Sequence, residues 1–171
     1  MSPKIILMVV APKDFRDEEY LEPRKIFEGA GIGVKVASKG VTTAMGKFGA
    51  VVPVDLDLGE VRVEDYDAVV FIGGPGSAVY FDDQQALSLA KTAYESGKIV
   101  GAICIAPSIL ANAGILSGKK ATAFSSELDN LNNRGAQNTG EPVVVDGKII
   151  TASGPEAAVE FGKKLVEVLE K

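Results

Sequence analysis

The amino-acid sequence predicts an α/β protein with a largely parallel sheet and helices on both faces. Short apolar runs rich in β-branched residues, typical of buried strands, alternate with longer segments that have the apolar spacing of helices. This alternation covers most of the chain, and strands joined through helices pair in parallel. The length of 171 residues and the apolar fraction of 46% predict one domain over residues 1–171.

In the first half of the chain, predicted strands alternate clearly with predicted helices except in one stretch. The helix predicted over 18–30 has Leu21 and Phe27 on its apolar face, and Gly73-Gly74-Pro75-Gly76 follows a buried strand. Residues 41–61 are irregular and are expected to hold a small hairpin. The predicted elements are strand 4–10, loop 11–17, helix 18–30, strand 34–37, strand 66–72 and helix 82–96.

The second half continues this alternation and ends in a hairpin and an amphipathic helix. Pro107 stands in the first turn of a predicted helix, where a missing N–H is tolerated. Asp146-Gly147 is a turn signal between two β-branched runs. The predicted elements are strand 99–103, helix 106–113, strand 120–124, a short polar helix 127–134, hairpin 143–151 and helix 156–169.

Charge and hydropathy exclude several classes of partner. The chain has 18 Lys and Arg against 23 Asp and Glu, with no basic run, so we expect neither nucleic acid nor a membrane as a partner. No apolar stretch reaches the ~18 residues of a membrane span. Met1 to Lys4 lack the pattern of a signal peptide. Because Cys104 is the single cysteine, we expect a reducing, cytoplasmic location.

The absence of histidine from the chain limits its chemistry. It removes Ser-His-Asp and Cys-His catalysis within the chain, and histidine sites for zinc or iron. One cysteine cannot build a thiolate metal site, and no D-x-D-x-D-G calcium loop is present. Carboxylate sites for magnesium or calcium stay open on composition alone, but we expect no metal and no cofactor.

Cys104 is the candidate nucleophile because it stands between a buried strand and a helix start. Small residues two positions on either side, Ala102 and Ala106, suit a sharp strand-to-helix elbow. The start of the following helix is expected to lower the pKa of the thiol. The alternative is a small buried hydrophobe, as most free cysteines are, but the elbow pattern favours the nucleophile.

Two further features are expected at the same edge of the sheet as Cys104. The glycine-rich turn 73–76 ends a strand and could aim backbone N–H groups at an oxyanion, although a plain turn is the alternative. Glu19 lies in the first turn of the first helix, and a carboxyl beside a thiolate has a raised pKa. Protonated Glu19 could donate a hydrogen bond to the sulfur or carry a proton.

Three sequence segments are shared with a known family. They are residues 101–107 (GAICIAP), residues 146–155 (DGKIITASGP) before the last helix, and Glu19 placed four residues before Pro23. With them the chain resembles the ThiJ/PfpI superfamily, which includes the Parkinson-disease-associated deglycase and PfpI-type intracellular proteases. The likeness runs from Ile5 to Leu169. It implies a flavodoxin-like three-layer α/β/α sandwich with a nucleophile elbow, assembled as a homodimer or higher homo-oligomer.

The resemblance also implies the residues of the site. It places the nucleophile at Cys104, the carboxyl partner at Glu19, and oxyanion donors at the backbone of Gly74 and Ile105. The expected pocket consists of Gly73, Pro75, Phe124, Ser153 and Gly154. Activities in this family include glyoxalase, protein deglycation, peptidase, chaperone and oxidative-stress sensing.

Two departures from the family pattern narrow the expected function. Ile105 stands where protease-like members have histidine, and Phe124 lies near a position where deglycase-like members often have one. The remaining Cys–Glu pair suffices for hemithioacetal chemistry on a small 2-oxoaldehyde. We therefore expect detoxification of glyoxal, methylglyoxal or their glycated adducts in a stress response. The alternatives are a redox sensor or chaperone-like protein using the same thiol, a silent module with an inert cysteine, and, least favoured, a cysteine peptidase.

Overall fold

The chain folds into a three-layer α/β/α sandwich in a computed structural model that describes residues 3–171. Met1 and Ser2, which the sequence analysis places ahead of the first strand, lie outside the described residues. The described elements are, in order, β1 (Ile5–Val9), β2 (Lys13–Phe15), α1 (Asp17–Gly29), β3 (Gly33–Ser38), β4 (Thr43–Gly46), β5 (Val51–Pro53), β6 (Leu56–Asp57), β7 (Ala68–Phe71), α2 (Gln84–Glu95), β8 (Ile99–Ile103), α3 (Pro107–Asn112), β9 (Lys120–Ala121), α4 (Leu128–Asn133), β10 (Gln137–Asn138), β11 (Val143–Asp146), β12 (Ile149–Ala152) and α5 (Ala158–Leu169).

The central sheet is largely parallel, as the sequence predicts. Its order is β11-β12-β8-β7-β1-β3-β6, and only the β11–β12 hairpin is antiparallel. Val9 of β1 pairs with Phe71 of β7, and Phe71 pairs with Ala102 of β8. The three innermost strands therefore end at one edge of the sheet, where ligands bind in open parallel sheets.

Helices cover both faces of this sheet. Helices α1 and α5 pack against each other on one face, and α2 packs with α3 on the other. Gly101 in β8 shows how closely α5 approaches, because a Cβ there would stand 3.1 Å from side-chain atoms of both Phe161 and Leu165. The strands between these layers are buried on both sides, which explains why they read as continuous apolar runs.

The shortest elements depart most from the sequence prediction. The hairpin expected within residues 41–61 is confirmed as β4–β5, but that stretch also contributes β6 to the edge of the main sheet. The predicted loop 11–17 contains β2, which pairs with β4. The strand predicted over 120–124 is wrong in extent, since β9 has two residues and pairs with β10. Strands of two or three residues are too short to show a periodic pattern.

Helix α1 buries only part of the face that its apolar residues predict. Leu21 is 49% exposed, whereas Glu19 is completely buried together with Phe27. Pro23 lies inside the helix and has no N–H for the carbonyl of Glu19 four residues earlier. The Cα of Pro23 packs against α5, 3.0 Å from where a Cβ on Gly162 would stand. This packing turns Glu19, rather than Leu21, towards the sheet.

Candidate active site

Cys104 stands at a strained turn immediately after β8. Its φ is +65°, a left-handed conformation that is rare for a residue other than glycine. Its N–H donates to the Ala152 carbonyl at 2.9 Å, and its carbonyl accepts from the Phe124 N–H at 2.8 Å. The sharp strand-to-helix elbow predicted at Cys104 is therefore confirmed, and the residue is 9% exposed.

Glu19 approaches Cys104 from below, across Gly73. A Cβ on Gly73 would stand 2.5 Å from Glu19 Oε1 and 2.6 Å from Cys104 Cβ, so only glycine leaves room for this pair. Among residues 3–171, neither Glu19 oxygen finds a partner with good hydrogen-bond geometry. The Cys104 side chain and the Gly73 N–H are nevertheless close enough to act on the carboxyl. A buried carboxyl without a well-placed partner is costly for folding and typical of functional sites.

Burial raises the pKa of both groups. Burial raises the pKa of Glu19 to about 7, opposed by hydrogen bonding from Cys104 and the Gly73 N–H. Burial also raises the pKa of Cys104 to about 12, and the negative charge of Glu19 adds to the rise. Between about pH 7 and about pH 12 the pair therefore holds a single proton.

The expectation that a helix start lowers the pKa of Cys104 is wrong. Helix α3 begins only at Pro107 and has six residues, so its dipole at the sulfur is small. The opposing effects of burial and of Glu19 are larger, and neither can be read from the residues next to Cys104. The thiolate therefore depends on where the shared proton lies.

The raised pKa of Glu19 predicts that the free energy of unfolding falls as the pH rises. Folded Glu19 binds its proton more tightly than the unfolded chain, so its contribution is fully present below pH 4.5 and is lost as the pH rises to about 7. This shift corresponds to roughly 3 kcal/mol. Urea unfolding across that range should show the loss in the wild type and much less of it in Glu19→Gln. An equal slope in both proteins would contradict the assignment.

Two backbone N–H groups converge on the Cys104 sulfur. They belong to Gly74 and Ile105, and each lowers the pKa of the thiol, although less than burial raises it. The turn that carries Gly74 is fixed to the start of α1, because the Arg16 N–H donates to the Gly73 carbonyl at 2.9 Å. The structure thus brings the expected oxyanion donors to the sulfur, where they could also hold a negative oxygen bonded next to it.

Gly74→Ala is expected to lower the free energy of unfolding by about 3 kcal/mol. Gly74 has φ +101°, and a Cβ would overlap the backbone nitrogen of Arg16 and stand 2.6 Å from the Phe15 carbonyl carbon. Gly40→Ala is the matched control, because Gly40 has φ +75° with nothing within 4 Å of the added Cβ. The control should lose only about 1–2 kcal/mol in chemical denaturation. Equal losses would show that the close approach at Gly74 has no energetic weight.

A pocket of about 540 Å³ opens above Cys104. Its lining residues are Arg16, Lys47, Gly74, Pro75, Cys104, Ile105, Phe124, Pro155 and Glu156. A larger depression of about 610 Å³ near β6 includes neither Cys104 nor Glu19, so it is separate from this chemistry.

Three residues that the sequence analysis assigns to the pocket do not line it. Gly73 lies below it, between Glu19 and Cys104. Ser153 is half-buried, with its N–H on the Pro142 carbonyl at 2.9 Å, and Gly154 is buried. The chain reaches the pocket one residue later, at Pro155. Such an offset is set by the path of the loop after β12, which no local sequence signal specifies.

The charged lining residues were not predicted from the sequence. Arg16 comes from the start of α1, Lys47 from the turn of the β4–β5 hairpin, and Glu156 from the segment before α5. They are distant along the chain, so only the fold brings them together. Of these three, Arg16 alone had a sequence feature that indicates a pocket residue. It stands three residues before Glu19, in a loop that follows a parallel strand.

The structure shows no metal cluster or membrane span within residues 3–171. No three His, Cys, Asp or Glu side chains come together there in an arrangement that could hold a metal ion. None of the helices in that range is both long and apolar enough to cross a bilayer.

The fold and site define a flavodoxin-like sandwich with a buried cysteine on a nucleophile elbow and a buried glutamate beside it. The sequence pattern of the DJ-1/PfpI family matches residues 4–168. The chain belongs to this family, which confirms the resemblance drawn from residues 101–107 and 146–155.

Individual relatives are similar over nearly the whole chain. A protein of Methanocaldococcus jannaschii is 41% identical, over 97% of this chain and 82% of its own length. A deglycase of Thermococcus kodakarensis is 32% identical, over 95% of this chain and 98% of its own length. A glutathione-independent glyoxalase of Caenorhabditis elegans is 29% identical, over 98% of this chain and 89% of its own length. The solved ThiJ/PfpI domain protein of Brachyspira murdochii is 39% identical, with a TM-score of 0.97 over 99% of this chain and 98% of that one.

Proposed function

We propose that this protein converts small 2-oxoaldehydes such as methylglyoxal, or their early adducts, with Cys104 as nucleophile and Glu19 as proton carrier. The observation that carries this proposal is the Cys104–Glu19 pair, in which a completely buried carboxyl lies beside the elbow thiol at the base of an open pocket. The deglycase and glyoxalase relatives support small reactive carbonyl compounds as the substrate class.

The first step is addition of the thiol to the aldehyde. The Cys104 proton moves to Glu19 while the sulfur bonds to the aldehyde carbon, and Glu19 then passes this proton to the aldehyde oxygen, which gives a hemithioacetal and leaves Glu19 ionised. The N–H groups of Gly74 and Ile105, which already act on the sulfur, stabilise the negative oxygen during this addition. No oxidant or second thiol is required.

The second step moves a proton between neighbouring carbons. Ionised Glu19 removes the proton from the carbon bonded to sulfur, which leaves an enediolate, and returns a proton to the adjacent carbon. The hydroxyl proton on the sulfur-bearing carbon passes to the neighbouring oxygen, which gives a thioester of a 2-hydroxy acid. Water hydrolyses the thioester to lactate and the free thiol. A carboxyl with a pKa of about 7 suits both directions of transfer near neutral pH.

The proposal is tested by incubating the purified protein with methylglyoxal in the absence of glutathione and other thiols. We expect lactate to form with repeated turnover, measured with lactate dehydrogenase. Absence of lactate would contradict the proposal. If peroxide then oxidised Cys104 reversibly, the redox-sensor alternative would be favoured, because the N–H groups at the sulfur would also hold a sulfinate.

No peptidase turnover is expected on unfolded casein or fluorogenic peptides. Cleavage of a peptide needs a group that protonates the departing amine, and Ile105 offers none. Glu19 lies below the sulfur and outside the pocket lining, so it is badly placed for that amine. Without such help the rate should fall roughly 10²–10⁴-fold.

The matched variant for this prediction is Ile105→His. A gain of peptide cleavage in that variant would show that the side chain at position 105 was the missing part. Cleavage by the wild type that disappears in Cys104→Ala would overturn the prediction and restore the peptidase interpretation.

A further inference from the structure

Arg16, the residue just before α1, brings a positive charge to the pocket. Its backbone N–H is fixed to the Gly73 carbonyl at 2.9 Å, next to the turn that contacts the sulfur. Its side chain lines the pocket together with Cys104. The guanidinium interacts electrostatically with both Cys104 and Glu19, so its charge is felt by both reacting groups.

The guanidinium of Arg16 is held in place rather than free in solvent. Its Nε donates to both Glu18 carboxylate oxygens at 3.1 Å, and its Nη2 donates to Oε2 at 2.8 Å. It also lies over the Phe48 ring, 4.9 Å from the centroid. These contacts use Nε and Nη2. The side chain is 34% exposed, and the two N–H groups of Nη1 and the second N–H of Nη2 remain as donors for a molecule in the pocket.

The proposed reaction needs such a group. The enediolate carries a negative oxygen, and the proton that Glu19 has just taken up goes to the adjacent carbon rather than to that oxygen. The chain has no histidine, and Lys47, the other cation lining the pocket, is exposed at the tip of a hairpin. A charged donor that is already oriented stabilises a transition state more than a mobile one does.

We propose that Arg16 is a further catalytic residue, whose guanidinium donates to the enediolate oxygen, with Glu18 and Phe48 as its positioning residues. This inference rests on the proposed function, because it assigns a role within that reaction. It supplies the positive group that histidine would otherwise provide at this site.

The first test is the kinetics of Arg16→Gln with methylglyoxal. We expect kcat to fall about 10²-fold, with KM changed only slightly, because the interaction is made in the transition state. Arg16→Lys keeps the positive charge but loses the planar guanidinium, so its kcat should lie between that of Arg16→Gln and that of the wild type.

Arg62→Gln is the matched control for this substitution. Arg62 also precedes a helical turn and pairs with the glutamate two residues on, with Nε 3.1 Å from Glu64 Oε1. It is outside the pocket lining, so kcat and KM should stay at wild-type values. An equal loss in both variants, or wild-type kcat in Arg16→Gln, would overturn the proposal. If Arg16→Gln does not fold, wild-type kcat in Arg16→Lys would overturn it.

A second readout does not depend on turnover. The charged groups around the sulfur are Arg16, Lys47 and Glu156 in the pocket and Glu19 below it. Removing the Arg16 charge should disfavour the thiolate, so iodoacetamide should alkylate Cys104 more slowly in Arg16→Gln, with the pH profile moved to higher pH. A profile like the wild type's would overturn the placement of Arg16. Absence of lactate from the wild type, with this shift present, would instead reject the proposed function alone.

Discussion

Replacing Cys104 by serine is expected to lower lactate formation from methylglyoxal by about 10³-fold or more. A serine hydroxyl is far less acidic than a thiol. Within residues 3–171 the base beside it is Glu19, and the chain has no histidine to help. Serine has nearly the same size and tolerates the same backbone, so the fold should persist. The measurement is initial rates of lactate formation, with the unfolding curve as a check on folding.

The control for this variant is Ser153→Ala. Ser153 lies on the neighbouring loop but outside the pocket lining, so its removal should leave the rate at the wild-type level. Lactate formation by Cys104→Ser at more than about one tenth of the wild-type rate would contradict the role of the thiol.

Glu19→Gln is expected to lower kcat by roughly 10²–10⁴-fold. Glutamine fills the same buried space and can donate a hydrogen bond, but it cannot carry a proton between carbons. KM should change little, because Glu19 does not line the pocket. The same substitution removes the negative charge that raises the pKa of Cys104, so iodoacetamide should react faster with the variant near pH 8. Faster alkylation of Cys104 together with slower lactate formation would distinguish a proton carrier from a merely structural residue.

The comparison for Glu19→Gln is Glu22→Gln, one turn further along α1, where the side chain is half-buried. That variant should keep the wild-type kcat and alkylation rate. If Glu19→Gln retained full turnover, or lost turnover and thiol reactivity together, the assignment of Glu19 as proton carrier would be wrong.

The main architecture could be predicted because its strands carry strong local signals. Strands β1, β7 and β8 are continuous apolar runs, and Asp146-Gly147 marks the final hairpin. The small strands β2, β6 and β10 could not be predicted, and β9 was predicted with the wrong extent, because each is held by pairing partners distant in sequence. The buried face of helix α1 was predicted only in part, for a related reason. Glu19 and Pro23 lie on that face, whereas Leu21 is exposed.

The part of the site that could be predicted is the part indicated by single residues and their immediate neighbours in the sequence. The small residues on either side of Cys104 predicted the elbow. The position of Glu19 at the start of a helix, next to an edge of the sheet, predicted that its carboxyl would lie near the thiol. The raised pKa of the thiol could not be foreseen, because it comes from burial and from the distance to Glu19. Nor could Arg16, Lys47 and Glu156 be assembled into one pocket, since three separate loops deliver them.

The most direct test of the Cys104 mechanism is to titrate the protein with iodoacetamide while lactate formation from methylglyoxal is followed. Cys104 is the single cysteine, so mass spectrometry of its peptide gives the labelled fraction without any substitution. We predict that the remaining activity equals the unlabelled fraction at every point and reaches zero when each chain carries one label. Lactate formation that persists in fully labelled protein would contradict the mechanism.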